Sequence, residues 1–150
     1  MECLIFIGIQ ASGKTTFYQQ KFLFTHVHIS LDLLKTRHRQ QRFIELCLQT
    51  QQRFVIDNTN PTMTERTNYI ALAKAHKFVV SAYYFVPDVG RALVYNQQRP
   101  TQRCVPDVAI KGTKKSLQEP SFEEGFDQIF YVYHNDTGGF IVQEQIKDAI

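Results

Sequence analysis

Short continuous apolar runs alternate along this chain with longer segments whose apolar positions recur every three or four residues. These are the periods of buried strand and amphipathic helix. Leu4–Ile7 is such a run, ending at Gly8, and predicts a buried strand, followed by a helix over Gly13–Phe22. His26–Ile29 predicts a second strand, and Leu31–Gln49 a mostly helical stretch with Phe43, Leu46 and Cys47 on one face. Phe54–Asp57 predicts a third strand. Pro61 then marks a helix start, Thr62 and Glu65 offer a capping box, and Tyr69, Leu72, Ala73 and His76 follow at helical spacing. Val79–Phe85 reads as a fourth strand, Asp88–Gln98 as a helix with Val89, Ala92, Leu93 and Asn96 on one side, Asp107–Leu117 as another helix, and Ile129–Tyr133 as a fifth strand.

Strand and helix in this alternation imply an α/β fold: a five-stranded parallel sheet with helices on both faces, of the P-loop kinase type once the loop below is added. Ligands of such sheets bind outside the C-terminal ends of the strands. With 150 residues and no linker-like tract, residues 1–150 are expected to form a single domain.

Composition narrows this little. Hydrophobic residues make up 43% and charged residues 21%, ordinary for a globular protein. The apolar runs are far shorter than the roughly 18 residues a membrane span needs, and no leader pattern opens the chain. A cytoplasmic protein with no membrane partner is expected. Cys3, Cys47 and Cys104 lack metal-site spacing and fit free thiols in a reducing compartment. The histidines, His26, His28 and His76 among them, have no spaced partners and are read as core or surface residues rather than metal ligands. A net charge of +3 permits an anionic partner without arguing for one.

The chemistry begins at Gly8-Ile9-Gln10-Ala11-Ser12-Gly13-Lys14-Thr15, a G-x-x-x-x-G-K-[ST] loop between a strand and a helix. Its glycines let successive backbone N–H groups face one anion, and the following helix adds its positive end. Gly8, Gln10, Ala11, Ser12, Gly13, Lys14, Thr15 and Thr16 are the expected nucleotide-binding residues, with Lys14 on the β- and γ-phosphates and the Thr15 hydroxyl on Mg²⁺. The expected donor is ATP with magnesium. Asp57 closes the third strand, where it would serve either the magnesium shell or the hydrogen bonding of the site, with Asn58, Thr59 and Asn60 beside it. Asp32 follows the second strand and is either a general base or a helix cap. Lys35 lies one helical turn beyond it and is a candidate for an acceptor phosphate, whereas Arg39 and Arg42 read as a solvated face. Residues 97–106 suit an arginine-bearing lid, with Arg99 or Arg103 on the triphosphate.

The loop, Asp32, the run Val55-Ile56-Asp57-Asn58-Thr59-Asn60-Pro61, the lid Asn96-Gln97-Gln98-Arg99 before Val105-Pro106, and the late Pro120-Ser121-Phe122-Glu123-Glu124-Gly125-Phe126 together resemble the kinase domain of polynucleotide 5′-hydroxyl kinases. The resemblance implies Asp32 as the base that activates a 5′-OH, Asp57 and Thr59 on the acceptor side, and Arg99 as the lid arginine. It also implies a DNA or RNA 5′ end as acceptor, and a stand-alone kinase, since no Asp-x-Asp-Gly-Thr phosphatase motif is present. Ser30-Leu31 and Lys35 depart from the family, where Asn-Arg and, in the phage type, Arg stand. Two other expectations remain open: a P-loop kinase of a nucleoside or small metabolite, and a regulatory ATP-binding protein.

Overall fold

The computed structural model describes residues 1–135 and 137–147. Its centre is a sheet in the order β2-β3-β1-β4-β5-β6. β1 (Glu2–Ile7), β2 (Val27–Ile29), β3 (Phe54–Asp57), β4 (Val79–Phe85) and β5 (Gln128–His134) run parallel. β6 (Phe140–Gln145) joins β5 antiparallel at the edge. The α/β fold and the five parallel strands agree with the sequence, but the sheet has six strands, and the sixth is a correction. Residues 140–145 bury nothing fully, so their apolar pattern is that of a half-covered edge strand.

Along β1 the side chains alternate between two cores, as strand geometry requires. Leu4 and Phe6 pack with Phe17 and Tyr18 of α1 (Lys14–Lys21), together with Phe85 and Val132. Cys3, Ile5 and Ile7 pack on the opposite face with Ile44, Cys47 and Leu48 of α3 (Arg37–Gln49) and with Tyr69, Ile70 and Ala73 of α4 (Met63–Ala75). A third, smaller core joins Ile9 to Ala92 of α5 (Val89–Gln97) and Ile110 of α6 (Asp107–Ser116). The sheet order reverses at β1, and the loop after β1 therefore opens into the crevice where such sheets bind ligands.

Two details depart from the expected helices. The stretch after β2 is two helices, α2 (Leu31–Leu34) and α3, because Lys35 turns left-handed at φ 74° and Thr36 caps α3 by accepting from Arg39 N. On α3 the inward face is Gln40, Ile44, Cys47 and Leu48, while Phe43 and Leu46 are exposed. Gln40 takes a core position because both ends of its amide are bonded there, to Asn58 and to Tyr69.

Buried Arg66 of α4 ties the far wall together. It forms a bidentate pair with Glu124 at 2.8 and 3.0 Å and donates through Nη1 to the carbonyls of Asn60 and Gln118. No helix among the described residues is long and apolar enough to cross a membrane.

Candidate active site

Both glycines of the phosphate loop are dictated by space. A Cβ on Gly8 would stand 2.9 Å from the Phe85 Cβ, and one on Gly13, at φ +87°, would stand 3.1 Å from His134 and Phe140. Ala11 also adopts a left-handed φ of 59°, so the chain between β1 and α1 curls tightly around its own amides. No acidic residue occupies the first turn of α1, and its positive end is left unneutralised. Two ties hold the loop: Gly8 N donates to Thr59 O at 3.0 Å, and His134 Nε2 donates to Ser12 O at 2.8 Å. Thr16 follows, half-buried, in the first turn of α1.

Lys14 is buried and its ammonium donates to Gly8 O at 3.1 Å and Ile9 O at 2.8 Å, with Ser12 Oγ at 3.4 Å. Burial lowers its pKa to about 8; Asp57 and Asp32 oppose this fall and Arg99 adds to it.

Asp57, itself buried, accepts from the Thr15 hydroxyl at 2.9 Å and from His28 Nε2 at 2.8 Å, both on Oδ2. A carboxylate only accepts, so the His28 Nε2 carries the proton. The His28 ring is stacked on Tyr18 at 4.2 Å. With its proton committed to Asp57, the Thr15 oxygen keeps its lone pairs for a cation. One hydroxyl and a nearby carboxylate suit Mg²⁺, which takes few protein ligands and fills its octahedron with phosphate oxygens and water. Among the described residues no group of three or more His, Cys, Asp or Glu could hold a metal ion by itself.

Asp32 is exposed in α2, its N–H held by the Ser30 hydroxyl at 3.2 Å. The N–H of Leu31 is held by Asn58 Oδ1 at 2.9 Å, so the residue after Asp57 anchors the helix that carries Asp32. Asn58 is fixed in turn by Gln40 at 2.7 Å. Thr59 contributes its carbonyl to the phosphate loop, and its half-buried side chain lies beside it. Lys35 is exposed at the end of α2, and Arg37 of the next helix donates to Tyr69 at 3.0 Å.

The segment expected as a lid, residues 97–106, is clasped at its base by Asn96, which donates to Val105 O at 2.7 Å and accepts from Val105 N at 3.1 Å. Arg99 is half-buried, with Nη1 buried and unpartnered among the described residues, whereas Arg103 is exposed on a 3-10 turn. Sequence reading named Asp32, Asp57 and Arg99 and left Arg103 as an alternative to Arg99. Hydrogen bonds tie Asp57 to Thr15 and the helix of Asp32 to Asn58, while Arg99 keeps a buried, unpartnered Nη1 among the described residues. The geometry also adds His28, Tyr18, His134 and Phe140, none of which lies in the recognised motifs.

A protein-family model described as an AAA domain matches residues 28–120. A bifunctional polynucleotide phosphatase/kinase of Schizosaccharomyces pombe (strain 972) is 26% identical over 132 residues, which are 85% of this chain and 32% of that protein. A protein of Acanthamoeba polyphaga mimivirus, named for the same two activities, is 32% identical over 135 residues with the same coverage. The chain spans about a third of the length of these curated relatives. In fold it is similar to Kti12 of Chaetomium thermophilum, solved with ADP-AlF3, at a TM-score of 0.72 and 15% identity over 89% of this chain and 90% of that one.

Proposed function

We propose that this chain, which belongs to the AAA-domain family, is an ATP-dependent kinase that transfers the γ-phosphate to a 5′-hydroxyl of DNA or RNA. The observation that carries the reading is the bond of Thr15 in the phosphate loop to buried Asp57, whose neighbour Asn58 anchors the helix that bears Asp32. The acceptor class rests on the two relatives named polynucleotide phosphatase/kinase, which align with 85% of the chain. It is further supported by the open, positive flank beside Asp32, where Lys35, Arg37 and Arg39 are exposed.

In this reading the loop amides and Lys14 hold the triphosphate, and Thr15, oriented by its bond to Asp57, would hold magnesium. Magnesium, when bound, neutralises charge on the phosphates. Asp32 takes the proton of the 5′-hydroxyl as its oxygen bonds to the γ-phosphorus. The bond from that phosphorus to the β–γ bridging oxygen breaks, and ADP leaves with the electron pair. Arg99 stabilises the charge spread over the equatorial oxygens. Residues 1–150 act as one kinase domain with residues 97–106 as its lid.

The test is transfer of labelled γ-phosphate to 5′-OH DNA and RNA oligonucleotides, resolved on a gel beside nucleosides and small alcohols. Labelled oligonucleotide is expected. Transfer to a small alcohol alone would replace the acceptor, and ATP binding without any transfer would leave a regulatory ATP-binding protein.

A further inference from the structure

Two buried polar atoms near the phosphate loop and lid have no hydrogen-bond partner among the described residues: Gln10 Oε1 and Arg99 Nη1. One is an acceptor and the other a donor. Buried groups of this kind are rarely left unpaired, and the exceptions mark places completed by something else.

The orientation of the Gln10 amide is fixed by its neighbours. Nε2 donates to Thr113 Oγ1 of α6 at 2.9 Å, and the Thr113 hydroxyl gives its own proton to Ala109 O at 2.9 Å. Thr113 has no second proton to offer, so the amide cannot be reversed without losing that bond. Oε1 is therefore the atom left without a partner among the described residues, and it needs an N–H or O–H. Phosphate oxygens at neutral pH only accept, so a bound triphosphate satisfies Arg99 but not Gln10. A guanidinium carries five N–H groups in a planar fork and can serve a phosphate and an amide oxygen together. Gln10 directly follows Ile9, whose carbonyl takes the Lys14 ammonium, and Ile9 packs in the small core against which Val105 lies; Val105 is clasped to Asn96, whose carbonyl accepts from Arg99 N at 3.2 Å.

We propose that Gln10 is the positioning residue of Arg99: anchored on Thr113, its Oε1 receives one guanidinium N–H when a triphosphate is bound and aims the rest of the fork at the γ-phosphoryl oxygens. The inference rests on the ATP-binding half of the function proposed above and is independent of the acceptor. It makes α6, beyond the lid, part of the donor site. The phosphate loop reaches α6 by this hydrogen bond as well as through the small core of Ile9, Ala92 and Ile110.

The experiment is calorimetric titration of the full chain with Mg·ATP and with Mg·ADP, in wild type, Gln10→Ala, Arg99→Ala, the double variant, Thr113→Val and Thr113→Ser. Wild type is expected to prefer ATP over ADP. Arg99→Ala should erase that preference, and Gln10→Ala should remove most of it by weakening ATP far more than ADP. The double variant should be no worse than Arg99→Ala alone, since both changes break one unit. Thr113→Val should resemble Gln10→Ala, and Thr113→Ser, which keeps the hydroxyl, should behave as wild type. Independent losses in the two single variants, equal weakening of ATP and ADP by Gln10→Ala, or no ATP preference in wild type would each overturn the inference. Failure of wild type to bind ATP at all would instead sink the proposed function and this inference with it.

Discussion

Thr15 and Asp57 stand 42 residues apart in the chain, and the hydroxyl of one donates to the carboxylate of the other at 2.9 Å. The bond joins the first turn of α1 to the end of β3 and aims the Thr15 lone pairs outward. Asp57→Ala would strip both Thr15 and His28 of their acceptor. Turnover with Mg·ATP is expected to fall by about 100-fold or more, the scale of losing one preorganised electrostatic group. Steady-state kinetics at saturating Mg²⁺ measure it, and near-wild-type turnover would remove Asp57 from the site.

Asp32 has a different signature. It is exposed and its backbone, not its carboxylate, is what the structure holds, through Ser30 and the neighbouring Leu31–Asn58 bond. Asp32→Ala therefore leaves folding and ATP affinity close to wild type while kcat for phosphoryl transfer drops by roughly 10²–10⁴-fold, the range of general-base catalysis. Nucleotide titration beside a transfer assay separates the two effects. A matching loss of ATP affinity would assign Asp32 to the donor side instead.

The Lys14 ammonium gives the site a pH limit. Burial sets its pKa at about 8 in the free protein, so above that pH an increasing share of the molecules carries a neutral amine in the loop. A bound triphosphate favours the charged form and pulls the value back up. ATP affinity, and kcat/KM for ATP with it, should fall as pH rises through about 8, approaching roughly tenfold per unit. The value of kcat should stay flat over the same span, because the complex keeps its proton. A kcat/KM profile level to pH 10 would contradict this.

How far the sequence foretold this site depends on which residues carry their own signal. The phosphate loop and Asp57 were legible because spacing and a strand end specify them, and the five parallel strands followed from apolar runs bounded by turns. The break between α2 and α3 was not, since it turns on Lys35 at φ 74°, a conformation no lysine advertises. Phe43 and Leu46 share an apolar face with Cys47 in the sequence yet lie outward, because Gln40 fills the core through two amide bonds, which hydrophobic periodicity does not register. β6 had one available sign, the Gly138-Gly139 pair just before the β-prone Phe140-Ile141-Val142, a Gly-containing connection of hairpin length after β5. The contact of His28 with Asp57 is a matter of cross-strand geometry invisible in a linear string.

The buried pair Arg66–Glu124 links stability to the site. Arg66 is fully buried and Glu124 nearly so, and the guanidinium also donates to the carbonyl of Asn60, whose own side chain donates to Phe6 O at 2.7 Å. Glu124→Gln leaves a buried guanidinium short of its counter-charge, and breaking a buried pair from one side costs about 3–5 kcal/mol. For a chain of this size that is roughly a 10 °C fall in Tm. Replacing both partners, as in Arg66→Met with Glu124→Leu, removes the uncompensated charge and should recover much of the loss. The carbonyl of Thr59, one residue before Asn60, receives Gly8 N, so the single variant should also weaken ATP binding well below its melting temperature. Thermal denaturation and nucleotide titration of the single and double variants check both effects. A single variant as stable as wild type would show that water reaches Arg66 in solution, and that the wall behind the phosphate loop is held by other contacts.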